Sequence, residues 1–164
     1  CSKRERNSMK ILFIGGSKTI KALPHGAMEF LDTKLSEGDV RFIVGDSFGV
    51  DRAAQIFLAS KGADMKVYAS EGSVRNNPCN LPVVAVPAEG FRGRDFYRQK
   101  DIAMACAATE GLMIWDGKSK GAYLDTHHLL SLGKPVTLFL RGREEAIQFF
   151  ALEQYRKFIT TRIL

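Results

Sequence analysis

Short runs of apolar residues alternate with stretches whose apolar positions recur every three or four residues, along nearly all of the 164-residue chain. Unbroken apolar runs suit strands buried on both faces, and the intervening periodicity suits the helices that cover them. The alternation predicts the α/β class, with an open, mostly parallel sheet and helices on both faces. Strands are expected at 9–15 (MKILFIG), 40–46 (VRFIVGD), 65–69 (MKVYA), 83–86 (VVAV), 112–115 (LMIW) and 136–140 (VTLFL). A helix after Pro24 carries Met28, Leu31 and Leu35 at helical spacing. The next starts at Val50, where Val50, Ala53, Ala54, Phe57 and Leu58 form one face and Lys61-Gly62 closes it. Helices are further expected at 94–108, at 122–132 with Gly133-Lys134-Pro135 as the stop, and at 143–158, where Ile147, Phe150, Ala151 and Phe158 share a stripe. The polar, turn-rich segment 70–82 reads as a loop crossing the rim of the sheet.

A hydrophobic fraction of 45% over this length supports one domain with its own core, spanning 9–164 and preceded by an N-terminal extension, 1–8. The 24 basic and 18 acidic residues leave a net charge of +6, which favours an anionic partner. Phosphate-bearing small molecules fit that balance. Nucleic acid is not expected, because neither a stacked-aromatic strand motif nor a recognition-helix signature occurs. Cys1, Cys79 and Cys106 are odd in number and lack the close pairing of a zinc or redox motif, which points to a reducing, cytoplasmic location. No run of 18 apolar residues occurs, and the start CSKRERNS resembles neither a signal peptide nor a transit helix, so no membrane is expected. A leading Cys-Ser would also suit a lipidated terminus, whereas Met9 directly before the first strand suits a natural start. His127 and His128 are neighbours on a helix and face different ways, and His25 stands alone. No metal and no cofactor are expected from such spacing.

In an open parallel sheet, ligands bind beyond the carboxyl ends of the strands, so the loops there carry the candidate chemistry. The first is Gly15-Gly16-Ser17-Lys18-Thr19, where glycines admit close backbone approach and the polar side chains can meet phosphate oxygens; a plain tight turn is the alternative. The second runs through Gly45, Asp46, Ser47, Phe48 and Gly49 into Val50-Asp51-Arg52, a helix start whose N–H groups can hold an anion. Asp51 there can cap its helix or contact a ribose. The third, Asp116-Gly117-Lys118-Ser119-Lys120-Gly121, is the strongest local signal, although the GxxxxGK[ST] spacing of a P-loop is absent. A solvated lysine turn is its alternative. A basic stretch with Arg92, Arg94, Arg98 and Lys100 around Phe91, Phe96 and Tyr97 could grip a phosphate while a ring stacks on a base, and only a subset can point inward. No G-x-S-x-G elbow occurs, which argues against a serine hydrolase.

The segments GGS at 15–17, FIVGDSFGVDRAA at 42–54, and IWDGKSKGAYLD at 114–125 ahead of LGKPVTLF resemble, in this order, the SLOG superfamily. The likeness is to its YspA-like branch, related to the Lonely Guy phosphoribohydrolases and to DprA-type Rossmann-like domains, and it spans roughly Met9 to Leu140. It implies a Rossmann-like fold and a nucleotide or nucleotide-derived ligand. In the phosphoribohydrolases a G-T-x-x-E junction supplies a catalytic carboxylate beside the ribose, and an upstream arginine helps bind substrate. Gly121-Ala122-Tyr123-Leu124-Asp125 overlays that junction, with Ala122 for the threonine and Asp125 for the glutamate. Aspartate is one methylene shorter, and a misplacement of about an ångström can cost about a hundredfold in rate. The arginine-x-x-x-Met pattern of relatives falls on Lys100 to Met104, with Arg98 nearby.

The resemblance thus implies either N-glycosidic hydrolysis of a nucleoside 5′-monophosphate with Asp125 at the sugar, or a non-catalytic sensor of an NAD-derived or ADP-ribose-type signal. Asp125 would otherwise be a first-turn acid favoured by the helix dipole. A sensor would report through a homo-oligomer, for which Phe149, Phe150, Tyr155 and Phe158 of the final helix offer a surface or, failing that, ordinary core packing.

Overall fold

Residues 9–163 are described in a computed structural model, and the expected extension at 1–8, with Cys1, lies outside them. The strands are β1 (Lys10–Gly16), β2 (Val40–Gly45), β3 (Met65–Ser70), β4 (Val83–Val86), β5 (Glu110–Trp115), β6 (Val136–Leu140) and β7 (Ile147–Phe149). The helices are α1 (His25–Glu37), α2 (Val50–Ser60), α3 (Arg94–Ala107), α4 (Lys120–Ser131) and α5 (Leu152–Ile163). The sheet is open, with the order β4-β3-β2-β1-β5-β6-β7, and every pairing is parallel except that of β7 with β6.

Successive strand side chains point to opposite faces, and the central strands bury both sets. Leu12 and Ile14 join Phe42, Val44, Leu112 and Ile114 beneath α1 and α2, where Ala27, Leu31, Val50, Ala54 and Leu58 complete the layer. Phe13, Ile43, Met113, Trp115 and Leu138 face the other way, against Met104 of α3, Leu129 of α4 and Tyr155 of α5. Two apolar layers on one sheet give the expected α/β, Rossmann-like architecture.

The outer strands are short. β4 has four residues bounded by Pro82 and Pro87, and β7 has three. Among the described residues no helix is long and apolar enough to cross a membrane.

The helix expected at 143–158 forms in part only. Ile147–Phe149 pairs instead with β6, alternating half-buried, exposed and buried, and the helix starts at Leu152. A period-two triplet next to an open strand edge gains a hydrogen-bonded ladder that a helix could not offer there. Phe150, placed by periodicity on the inner stripe, is 66% exposed, whereas Phe149 and Tyr155 belong to the core and Phe158 packs against it. Most of the aromatic surface expected for self-association is therefore used inside the subunit.

The connection from β4 through α3 to β5 carries the chain across to the far side of β1. Loops leaving β1 and β5 therefore diverge, and a crevice opens at their carboxyl ends.

Candidate functional site

A cavity of about 950 Å³ occupies this crevice and draws its wall from the loops after β1, β2, β3 and β5 and from α3 and α4. Gly15, Gly16, Lys18, Gly45, Ser47, Asp51, Arg98, Lys100, Asp116, Lys118, Ser119, Gly121 and Asp125, all picked out from sequence, lie on it together. Ser17, Asp46, Gly49 and Gly117 belong to the same loops but do not line it. Arg94 also lines it, whereas Arg92 and Phe91 are exposed elsewhere, so only part of the basic stretch turns inward.

The loops after β1 and β5 are tied by hydroxyls. Ser17 Oγ and Ser119 Oγ are 2.7 Å apart, and the Asp116 N–H donates to Ser17 Oγ at 2.9 Å. Asp116 accepts the Lys118 and Ser119 N–H groups at 2.8 and 2.7 Å and the Thr19 hydroxyl at 2.7 Å. Burial opposes ionisation of Asp116, but these donors outweigh it and bring its pKa down to about 2. Its oxygens are thus committed to shaping the loop. The Trp115 indole N–H donates to the Ser119 carbonyl at 2.8 Å, and the Arg162 guanidinium of α5 lies over the Trp115 ring, 4.8 Å from its centroid.

Ser119 is the N-cap of α4 but does not cap it through its side chain, because its hydroxyl serves Ser17. The first turn, Lys120-Gly121-Ala122, therefore lines the cavity with uncapped N–H groups and the positive end of the helix dipole. Lys18, Lys118 and Lys120 are exposed around it and form no ion pair among the described residues. The start of α2 is less open than expected: the Val50 N–H donates to the Ser17 carbonyl at 3.3 Å.

Gly49 holds those two loops together. Its φ of 71° and ψ of −122° suit glycine, and a Cβ there would meet the carbonyls of Ser17 and Lys18. Gly45 has a different task, since a Cβ on it would sit 2.5 Å from Asp51 Oδ2 and 2.8 Å from Lys100 Nζ. Its bare backbone leaves room for a buried charge cluster.

That cluster joins α2, α3 and α4. Lys100 is 4% exposed and its Nζ lies 2.6 Å from Asp101 Oδ1. Burial alone would lower its pKa, but Asp101, Asp51 and Asp125 raise it above the ordinary value, so it stays charged. Asp51 does not cap its own helix through its side chain; it accepts the Ser47 N–H at 3.0 Å. Burial, opposed mainly by Lys100 and that N–H, pushes its pKa up to about 6. Arg98 Nη1 donates to Asp125 Oδ1 and reaches Asp101 Oδ2 at 3.4 Å. Burial and then Asp101 hold the Asp125 pKa well above the carboxylate range, against Arg98 and Lys100.

Asp125 is the sixth residue of α4, which starts two residues earlier than expected, and the first turn holds no acid. The helix dipole therefore does not account for its position. A carboxylate kept 6% exposed beside an arginine, a lysine and a second carboxylate is instead suited to meeting a polar or cationic group in the cavity.

Arg75, Tyr97 and Asp101 were not singled out for this role from sequence, Tyr97 being noted only as part of an aromatic group. Arg75 comes from the long loop between β3 and β4, which has no periodicity to mark an inward residue. Asp46, fully buried, fixes it by accepting the Arg75 N–H at 2.9 Å and Nη2 at 2.8 Å. Among the described residues no group of three His, Cys, Asp or Glu side chains is placed to hold a metal ion. No family model matches the chain, and no curated protein matches it.

Proposed function

We propose that the cavity binds a nucleoside 5′-phosphate and hydrolyses its N-glycosidic bond, and that the chain is a SLOG-type protein. The observation that carries this is the burial of Asp125 in the wall of a cation-rich cavity, beside the uncapped start of α4. The phosphate would sit at Lys120-Gly121-Ala122, within reach of Lys18 and Lys118. The sugar would then face Asp125, whose ionised carboxylate stabilises positive charge as the bond from C1′ to the base nitrogen breaks. Water supplies its oxygen to C1′ and one proton to the leaving base, giving a free base and ribose 5-phosphate. Arg98 and Lys100 favour the ionised form of Asp125, opposing the burial and the Asp101 charge that hold its pKa well above the carboxylate range. The exposed free thiols of Cys79 and Cys106 fit a reducing cytoplasm.

Incubation with a panel of nucleoside monophosphates, followed by chromatography for free base, tests the reading. Asp125→Asn is expected to abolish release while nucleotide affinity stays within a few-fold. Equal activity in variant and parent would remove Asp125 from the mechanism. A second reading, a sensor of an ADP-ribose-type signal, is favoured by the direct engagement of Asp125 by Arg98, which leaves the carboxylate partly neutralised. Binding without base release from any nucleotide would select it.

A further inference from the structure

We infer that the β2–β3 end of the cavity is a nucleobase site, built from the Arg75–Tyr97 pair and the Ser47 hydroxyl. This rests on the nucleotide reading above and names the part of the ligand bound at the end remote from the α4 start. Arg75 lies flat enough on Tyr97 for its guanidinium carbon to be 3.9 Å from the ring centroid, and both residues line the cavity. Two polar atoms here are buried without a hydrogen-bond partner: Arg75 Nε and Ser47 Oγ, the latter on a residue only 9% exposed. A buried donor without an acceptor is unfavourable, and two on one stretch of cavity wall point to a ligand that supplies acceptors.

The charge balance decides what kind of ligand group fits. Asp46, fully buried, neutralises Arg75, whereas the lysines around the α4 start have no carboxylate partner among the described residues. An anion therefore gains more at the lysine end, and a neutral, planar, acceptor-bearing group suits the Arg75 end. A nucleobase has those properties. The site is also preorganised: Gln55 Nε2 donates to the carbonyls of Gly45 and Asn76, at 2.9 and 3.1 Å, and Asn76 Nδ2 donates to the Asp46 carbonyl at 3.3 Å. These bonds pin the long loop to the end of β2 before any ligand arrives.

The test compares two probes by calorimetry on the full chain: ribose 5-phosphate and the tightest-binding of the four common ribonucleoside 5′-monophosphates. The parent should bind the nucleotide more tightly. Tyr97→Leu and Ser47→Ala should each weaken nucleotide binding several-fold, and together about tenfold, the scale of one hydrogen bond plus one stacking contact. Ribose 5-phosphate affinity should not change. These variants leave the Arg75–Asp46 pair in place, and thermal melts of each confirm folding. Nucleotide and ribose 5-phosphate binding equally to the parent, or equal losses for both probes in the variants, would overturn the base site while leaving the phosphate end intact. Failure of the parent to bind either probe would instead refute the nucleotide reading, and the base site with it.

Discussion

Replacing Gly49 by alanine tests whether the loops after β1 and β2 are locked against each other. The backbone there, at φ 71° and ψ −122°, is accessible essentially to glycine alone, and holding another residue in such a conformation costs roughly 1–3 kcal/mol. The added methyl would also lie 2.5 Å from the Ser17 carbonyl oxygen and close to that of Lys18, so the β1 loop has to retreat. Retreat breaks the bond from the Val50 N–H to the Ser17 carbonyl, worth about 0.5–1.5 kcal/mol. The combined loss is roughly 2–4 kcal/mol, which for a chain of this length lowers Tm by about 4–16 °C. Thermal unfolding followed by circular dichroism at neutral pH measures it. A fall of less than about 2 °C would show that the loops are not held as described, since the smallest cost of the backbone strain alone corresponds to about 2 °C on this scale.

Asp46→Asn keeps side-chain volume but strips the charge facing Arg75. Breaking a buried pair on one side costs about 3–5 kcal/mol, and urea unfolding should show a loss of that order with an unchanged m-value; a loss under about 1 kcal/mol would mean that the pair is screened by water. Asp51 predicts a pH dependence. Its folded pKa of about 6 lies above the ordinary 3.8, so the folded state holds its proton more tightly and stability attributable to Asp51 falls as pH rises from about 4 to about 6. Asp51→Asn should therefore gain stability relative to the parent across that window, and parallel Tm–pH curves for the two proteins would contradict the assignment.

Much of this arrangement could be read from the chain because it follows from local rules. The apolar runs at Leu12–Ile14 and Leu112–Ile114 could only be strands buried on both faces, and glycine-bearing loops had to follow them. Partnerships between distant segments were not legible. Nothing near Arg75 signals that Asp46, twenty-nine residues earlier, will hold it over Tyr97. The split of 143–158 was hidden for a related reason. Ile147 fits both periods, with Phe150 on a helical stripe and with Phe149 on a strand face, and the choice between them is made by the free edge of β6, which only the assembled sheet provides. Asp125 was reached through the likeness of 121–125 to the G-T-x-x-E junction, whereas the burial that shifts its protonation depends on α3 packing beside α4.

The proportions of the outer strands bear on how this protein can meet its own copies. A four-residue margin between prolines and a three-residue reversed margin offer little ladder for a foreign strand to extend, and proline withholds the N–H such growth requires. Edge-to-edge polymerisation is thereby discouraged at both flanks. Self-association through extension of this sheet is therefore disfavoured by the dimensions of its own margins.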